Sequence, residues 1–232
     1  MPTSPDQSPL PATAARHGST PPEADRRPLA SRSWLVMARL ARAVARAGIT
    51  PNQVSVAGMV FGIAAGVCLA ATGVLAHASA GAPADAAASA APSLGPPSDW
   101  PLRLLFLLAA ACIQLRLVCN LIDGMVAVEG GQRSAVGALY NEAPDRVSDA
   151  AGLVGAGYAL SGLPWLGWLA ALLAVTTAYV RMLGKAEGAG NDFRGPMAKP
   201  QRMALLTAAC AALALLPTSW RQGFEGALAS VV

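Results

Sequence analysis

Residues 55–76 carry no charged side chain, and the same holds for residues 150–180, apart from a break near Gly162 and Pro164. Residues 104–122 carry only Arg116, and a shorter apolar run covers residues 203–217. Runs of this length do not alternate as half-buried strands do, and about 20 apolar residues are what a helix needs to cross a bilayer. The composition agrees: 54% of the residues are hydrophobic and 13% are charged, against roughly a quarter charged in an ordinary soluble domain. The pattern therefore predicts an integral membrane protein of the all-α class. It is expected to be a polytopic helix bundle with five clear spans, at about 53–76, 101–123, 134–160, 164–183 and 202–216. The tail at about 218–232 is too short for a comfortable sixth.

The flanking segments read differently. Residues 1–30 are rich in Pro, Ser, Thr and Ala and have no apolar core. They are expected to form a disordered tail rather than a signal peptide, and residues 31–232 to form the membrane domain. At about 31–47, Arg32, Arg39, Arg42 and Arg46 interleave with Trp34, Leu35, Met37, Leu40 and Val44. This is the pattern of an amphipathic helix lying in the membrane interface, arginines toward anionic headgroups. Gly48 then predicts a helix stop. Thr50, Pro51 and Gln53 predict a new start, with Thr50 as N-cap, Pro51 at the first helical position and Gln53 closing a capping box. The segment at 77–100 is Ala-, Pro-, Ser- and Gly-rich and reads as a loop outside the bilayer. Cys68, Cys112, Cys119 and Cys210 all fall in apolar segments, as small buried hydrophobes do. Trp34, Trp100, Trp165, Trp168 and Trp220 fall near predicted span ends, where indole rings anchor at the interface.

Basic residues set the orientation. With the N-terminus inside, the basic tail, the connection between spans 2 and 3 and the loop between spans 4 and 5 all face the cytoplasm. Only Arg103 and Arg221 then lie on the far side.

One polar strip interrupts this apolar chain. Asn120, Asp123 and Gly124 close the second span, expected to end in a turn at Asp123–Gly124. Gly137, Asn141, Glu142, Asp145, Arg146, Ser148 and Asp149 open the third. Carboxylates and amides at membrane depth are costly and by default mark a functional site. Asn120 and Asp123 are three apart, and Asn141, Asp145 and Asp149 are each four apart, so each set shares a helix face. If the two spans pack antiparallel, their oxygens converge into a hard-cation site suited to Mg²⁺ or Mn²⁺. Such an ion would serve phosphoryl chemistry, and a carboxylate beside it could deprotonate a hydroxyl. Gly124 and Gly137 allow close approach of a helix or a ligand. Arg116 and Arg146 are expected to balance the strip's carboxylates, and Pro144 to kink the third span.

The strip resembles the signature of the CDP-alcohol phosphatidyltransferase family, D-x2-D-G-x2-A-R-x8-G-x3-D-x3-D. In the same register this chain reads Asn120, Asp123, Gly124, Ala127, Val128, Gly137, Asn141 and Asp145, with every spacing kept. The likeness extends to the interfacial helix, the start of span 1 and the basic loop before span 5. It implies a six-helix membrane enzyme, often a homodimer. Such an enzyme moves a phosphatidyl-type group from a CDP-diacylglycerol-like lipid to an alcohol and releases CMP, a step of phospholipid biosynthesis. Carried over by position, Asn120, Asp123, Asn141 and Asp145 would hold one or two Mg²⁺ or Mn²⁺ ions; outside the signature, Asp149, one turn beyond Asp145 on the same face, is a candidate to compensate for the asparagines as a further ligand. Asp145 would be the general base. Asp123, Gly124, Ala127 and Gly137 would face the nucleotide. The resemblance places the site at the cytoplasmic face of what is expected to be a bacterial inner membrane. No nucleic-acid partner is expected.

Three positions depart from the signature: Asn120 and Asn141 replace acids, and Val128 replaces an arginine. An amide oxygen can bind Mg²⁺ but brings no negative charge, so the ion would be held less firmly. Arg181, Arg194, Lys199 and Arg202 lie in or beside the basic loop. They are candidates for the phosphate of a phosphorylated alcohol acceptor or of the lipid headgroup, or else are plain positive-inside anchors. Two other readings use the same residues: a cation-binding membrane transporter, and a catalytically silent relative that binds CDP-lipid.

Overall fold

The computed structural model of the chain describes residues 35–80, 99–129, 137–159, 162–188, 199–217 and 220. The described residues form six helices: α1 (Leu35–Arg46), α2 (Pro51–Ala80), α3 (Trp100–Glu129), α4 (Gly137–Gly157), α5 (Pro164–Ala186) and α6 (Lys199–Leu215). Arg194, the tail at 1–30 and nearly all of 218–232 lie outside them.

The junction between α1 and α2 follows its sequence closely. Gly48 takes a left-handed backbone (φ 74°). The amide of Ile49 then donates to the Val44 carbonyl and that of Gly48 to the Ala45 carbonyl. These two bonds are the Schellman pattern that satisfies a helix's last carbonyls, and glycine enters it without a Cβ penalty. Two residues later the capping box closes: Thr50 N–H donates to Gln53 Oε1 at 2.9 Å, and Gln53 N–H to Thr50 Oγ1 at 3.3 Å. Together the two devices stop one helix and start the next within a few residues, which fixes α1 against the end of the bundle. There Ala41 is buried with Val54, Ile122 and Val126. Arg39, Arg42 and Arg46 stay exposed.

Three helices are long and apolar enough to cross a membrane, in the stretches Pro51–Ala78, Trp100–Val128 and Pro164–Ala186. That is the make-up of a helical integral membrane protein. The other two predicted spans are helices but differ in kind. Among them, α4 carries the polar strip along its first half and is too polar to count as a span by composition. The 17 residues of α6 extend only ~25 Å at 1.5 Å per residue, short of a ~30 Å hydrocarbon core. A second expectation fails at Asp123–Gly124, where no turn forms. Helix α3 continues to Glu129, because Ile122 and Val126 on its next turn are buried against Ala41 of α1. That burial outweighs the ~1 kcal/mol that a glycine costs inside a helix.

Lipid is as apolar as leucine, so helices in a bilayer gain little from burying apolar surface and much from close backbone approach. The seam between α2 and α4, which run parallel, is built on that rule. Gly58, Gly62 and Gly66 recur every four residues on one face of α2. A Cβ at Gly62 would lie 2.2 Å from Ser148 Cβ, and one at Gly66 would lie 2.3 Å from the Ala151 carbonyl oxygen. Nothing larger than glycine fits at either place. Helices α4 and α5 meet in the same way at Gly157 and Gly167. On the other side of α2, the antiparallel helices α3 and α6 complete a core of Leu69, Phe106, Ala109, Ile113, Met203 and Cys210. Trp100, Trp165, Trp168 and Tyr158 are exposed at the end of the bundle away from α1, where interfacial aromatics belong. All four cysteines are free.

Candidate functional site

Antiparallel packing sets the start of α2 beside the end of α3, and the parallel α4 brings its first half to the same end. A small cleft opens there with about 10 Å³ of room, lined by Ser55 and Gly58 of α2, Arg116, Asn120 and Asp123 of α3, and Asp145 of α4. Every polar side chain in that lining except those of Ser55 and Arg116 is a candidate read from the strip. That room takes one water-sized particle and is far below the 300–1,000 Å³ usual for a bound small molecule. It suits an ion and the end of a charged group, with the rest of a ligand lying outside.

Each member is held from the side. Ser55 Oγ donates to Asp123 Oδ2 at 2.8 Å, and the Gly124 amide to Asp123 Oδ1 at 2.5 Å. The Asn120 amide lies against Asp145. With its nitrogen turned to that carboxylate it donates to Oδ1 at 2.9 Å and Oδ2 at 3.1 Å. Arg116 is 2% exposed and reaches across from α3 to three residues of α4. Its Nε donates to Ser148 Oγ at 2.9 Å, and its Nη2 to Asp145 Oδ1 at 3.1 Å and Asp149 Oδ1 at 2.5 Å. Ser148 Oγ donates in turn to the Asp145 carbonyl. Arg202, at the start of α6, places Nη2 3.7 Å from Asp149 Oδ2. Buried charges persist only when paired and hydrogen-bonded; two guanidiniums and two carboxylates pair here across three helices, while Arg116 Nη1 and Asp149 Oδ2 are buried without a hydrogen bond among the described residues.

The predicted residues thus fall into distinct places. Asn120, Asp123 and Asp145 share the cleft. Asp149 does not line it: it lies behind Arg116, between two arginines, and is 2% exposed. Arg116 balances Asp145 and Asp149, as its position suggested. Arg146 likewise balances a carboxylate of the strip, Glu142 on its own helix. Arg202 sits against Asp149 rather than in the cleft. Arg181 lies near the C-terminal end of α5 and is not among the lining residues. Lys199 opens α6, and Asn141 lies one turn before Asp145 on α4, but their side chains are outside the description, as is Arg194 altogether. Gly137 begins α4. Ala127 stands one turn beyond Asp123 on the same face of α3. A Cβ on Gly124 would meet nothing within 4 Å, so this glycine leaves open space beside Asp123 and brings no helix close.

Ser148 is part of the strip, while Ser55 and Gly58 are not among the residues it singles out. Their signal was present: Gly58, Gly62 and Gly66 mark the packed face of α2, and Ser55 lies one turn before Gly58 on that face. Among the described residues no three His, Cys, Asp or Glu side chains converge on one point. A cation here would rest on two carboxylates and an amide. These three side chains have the oxygen chemistry a single hard ion would use, provided that the Asn120 amide turns its oxygen, in place of its nitrogen, toward Asp145.

Searches of protein families, of curated proteins and of solved structures found no match to this chain.

Proposed function

We propose that this chain is a membrane phosphotransferase that moves a phosphatidyl-type group from a CDP-diacylglycerol-like lipid to an alcohol and releases CMP. One observation carries the reading. Three of the signature positions, Asn120, Asp123 and Asp145, come from two helices to line one cleft at one end of the bundle. The apolar core of Leu69, Phe106, Ala109 and Ile113 lies beyond that cleft, an arrangement suited to a surface-facing enzyme. A transport path would need polar groups through the full depth. The proposal includes five membrane spans, the N-terminus and cleft on the cytoplasmic side of a bacterial inner membrane, and assembly as a homodimer.

In the reaction, the acceptor's hydroxyl oxygen bonds to the lipid-side phosphorus. The bond from that phosphorus to the oxygen of CMP breaks, and the hydroxyl proton passes to Asp145. Asp123, Asn120 and Asp145 would hold a Mg²⁺ or Mn²⁺ ion, which when bound neutralises charge on the diphosphate. Ser55 orients Asp123, and Arg116 orients Asp145 so that its carboxylate stays turned to the cleft. The open space at Gly124 and the Ala127 face admit the nucleotide, whose bulk exceeds the cleft. Arg181 and Lys199, at the cleft-side ends of α5 and α6, are offered, together with Arg194, as contacts to an acceptor or headgroup phosphate. Arg202 is assigned to Asp149.

One observation favours the silent reading as a second: the Asp145 carboxylate is engaged by Arg116 and by the Asn120 amide, so a base there must exchange a partner before it takes a proton. The test is purified protein given CDP-diacylglycerol, Mn²⁺ and a panel of alcohols, with CMP release followed. Metal-dependent release with one acceptor is the expected result. Tight CDP-lipid binding with no release from any acceptor would establish the silent reading in its place.

A further inference from the structure

The candidate metal site has an arginine built into it. The six residues lining the cleft include two carboxylates, Asp123 and Asp145, and one guanidinium, Arg116. That guanidinium is 2% exposed and bonds to Asp145 and Asp149 together through Nη2, at 3.1 and 2.5 Å. A group that bridges two carboxylates inside a bundle does the electrostatic work of a metal ion, and here it is covalently part of the chain. The second feature is the amide at 120. An aspartate there would hold carboxylate oxygens against those of Asp145 at 2.9 and 3.1 Å, a repulsion that only a cation or a proton between them relieves. Asparagine removes that demand, because its nitrogen donates to Asp145 when no ion is present and its oxygen serves when one is.

Resting on the metal-dependent reading above, we infer that Arg116 takes by charge the place of a second divalent ion. The site accepts one divalent cation, bound at Asn120, Asp123 and Asp145, and it stays assembled when no cation is bound. The charge count points the same way. Among the described lining residues, one divalent ion turns the formal charge from minus one to plus one, which draws an anionic diphosphate. Two ions beside a fixed guanidinium would leave plus three on two carboxylates.

The test is a Mn²⁺ titration of the purified full chain in detergent, read by isothermal calorimetry and by the spin signal of free Mn²⁺, beside thermal unfolding with and without chelator. The wild type should bind one Mn²⁺ per chain and, in chelator, lose no more midpoint than the binding of that one ion accounts for. Asn120→Asp should lose midpoint in chelator and regain it with Mn²⁺. Arg116→Lys, which keeps a positive charge, should still bind one ion, and Arg116→Gln should bind two and be stabilised by Mn²⁺ more than the wild type is. Two ions on the wild type, or a chelator-insensitive Asn120→Asp, would overturn the inference and leave the phosphotransferase reading standing. No bound ion on the wild type would remove the metal-dependent reading itself. The wild-type count decides the matter even where Arg116→Gln fails to fold.

Discussion

Arg103 stands near the start of α3, part-exposed, and donates from Nη1 to the Ala214 carbonyl at 3.0 Å and from Nη2 to the Leu216 carbonyl at 3.1 Å. Asp99, just before the helix, lies 4.0 Å away. Arg116, further along the same helix, bonds to two carboxylates and a serine hydroxyl and is almost wholly buried. At the first end a guanidinium satisfies the orphaned carbonyls at the C-terminus of α6, where a cation also meets the negative end of the helix dipole. Water and headgroups can take over that task, so it secures the fold cheaply. At the second end water is a poor substitute for the guanidinium, because Asp149 is 2% exposed and Asp145 opens only to the narrow cleft. The two arginines separate a helix-capping role from a site-building one, and burial decides which is which.

Breaking the buried member should cost most. Arg116→Gln leaves Asp145 and Asp149 facing each other without their cation, and removing one partner of a buried pair typically costs ~3–5 kcal/mol. Unfolding in metal-free detergent should show a loss of that order, and a loss below ~1 kcal/mol would contradict the buried pairing. Gly62→Ala comes next. Its methyl would meet Ser148, whose hydroxyl accepts from Arg116, so the α2–α4 seam must open and the site must move with it. Overpacking of this kind costs ~1–3 kcal/mol, and here CMP release should fall along with stability. A variant that loses stability and keeps full activity would uncouple the seam from the site. Arg103→Gln should be the mildest, at ~1 kcal/mol or less, with turnover unchanged. A large effect on turnover would show that the far end of α3 takes part in the chemistry.

Much of the site could be read in the chain because its period is helical. Asn120 and Asp123 share a face by spacing alone, and Asp145 met them once spans 2 and 3 were taken as antiparallel. The capping box at Thr50 and the stop at Gly48 were legible for the same reason: local hydrogen bonds fix them, and the residues that make those bonds are close in sequence. Other features depended on tertiary packing. Gly124 looked like a turn, yet burial of Ile122 and Val126 against α1 carried the helix through it. Asp149 shares the helical face of Asp145 and was grouped with the metal ligands. The reach of Arg116 from the neighbouring helix put it behind the cleft. Arg202 had been assigned to phosphate on its sign of charge, and the start of α6 sets it against Asp149. Ser55 entered the site through a glycine seam on α2 whose four-residue period was visible in the sequence but was not used.

The central claim is that Asp145 receives the acceptor's proton in a cleft that releases CMP. It is tested most directly by comparing wild type with Asp145→Asn for CMP release from CDP-diacylglycerol at saturating Mn²⁺, with the acceptor that supports turnover. The account predicts that the variant stays folded and loses activity by about 10²–10⁴-fold, the usual contribution of a general base. A folded Asp145→Asn chain that releases CMP at the wild-type rate would contradict it.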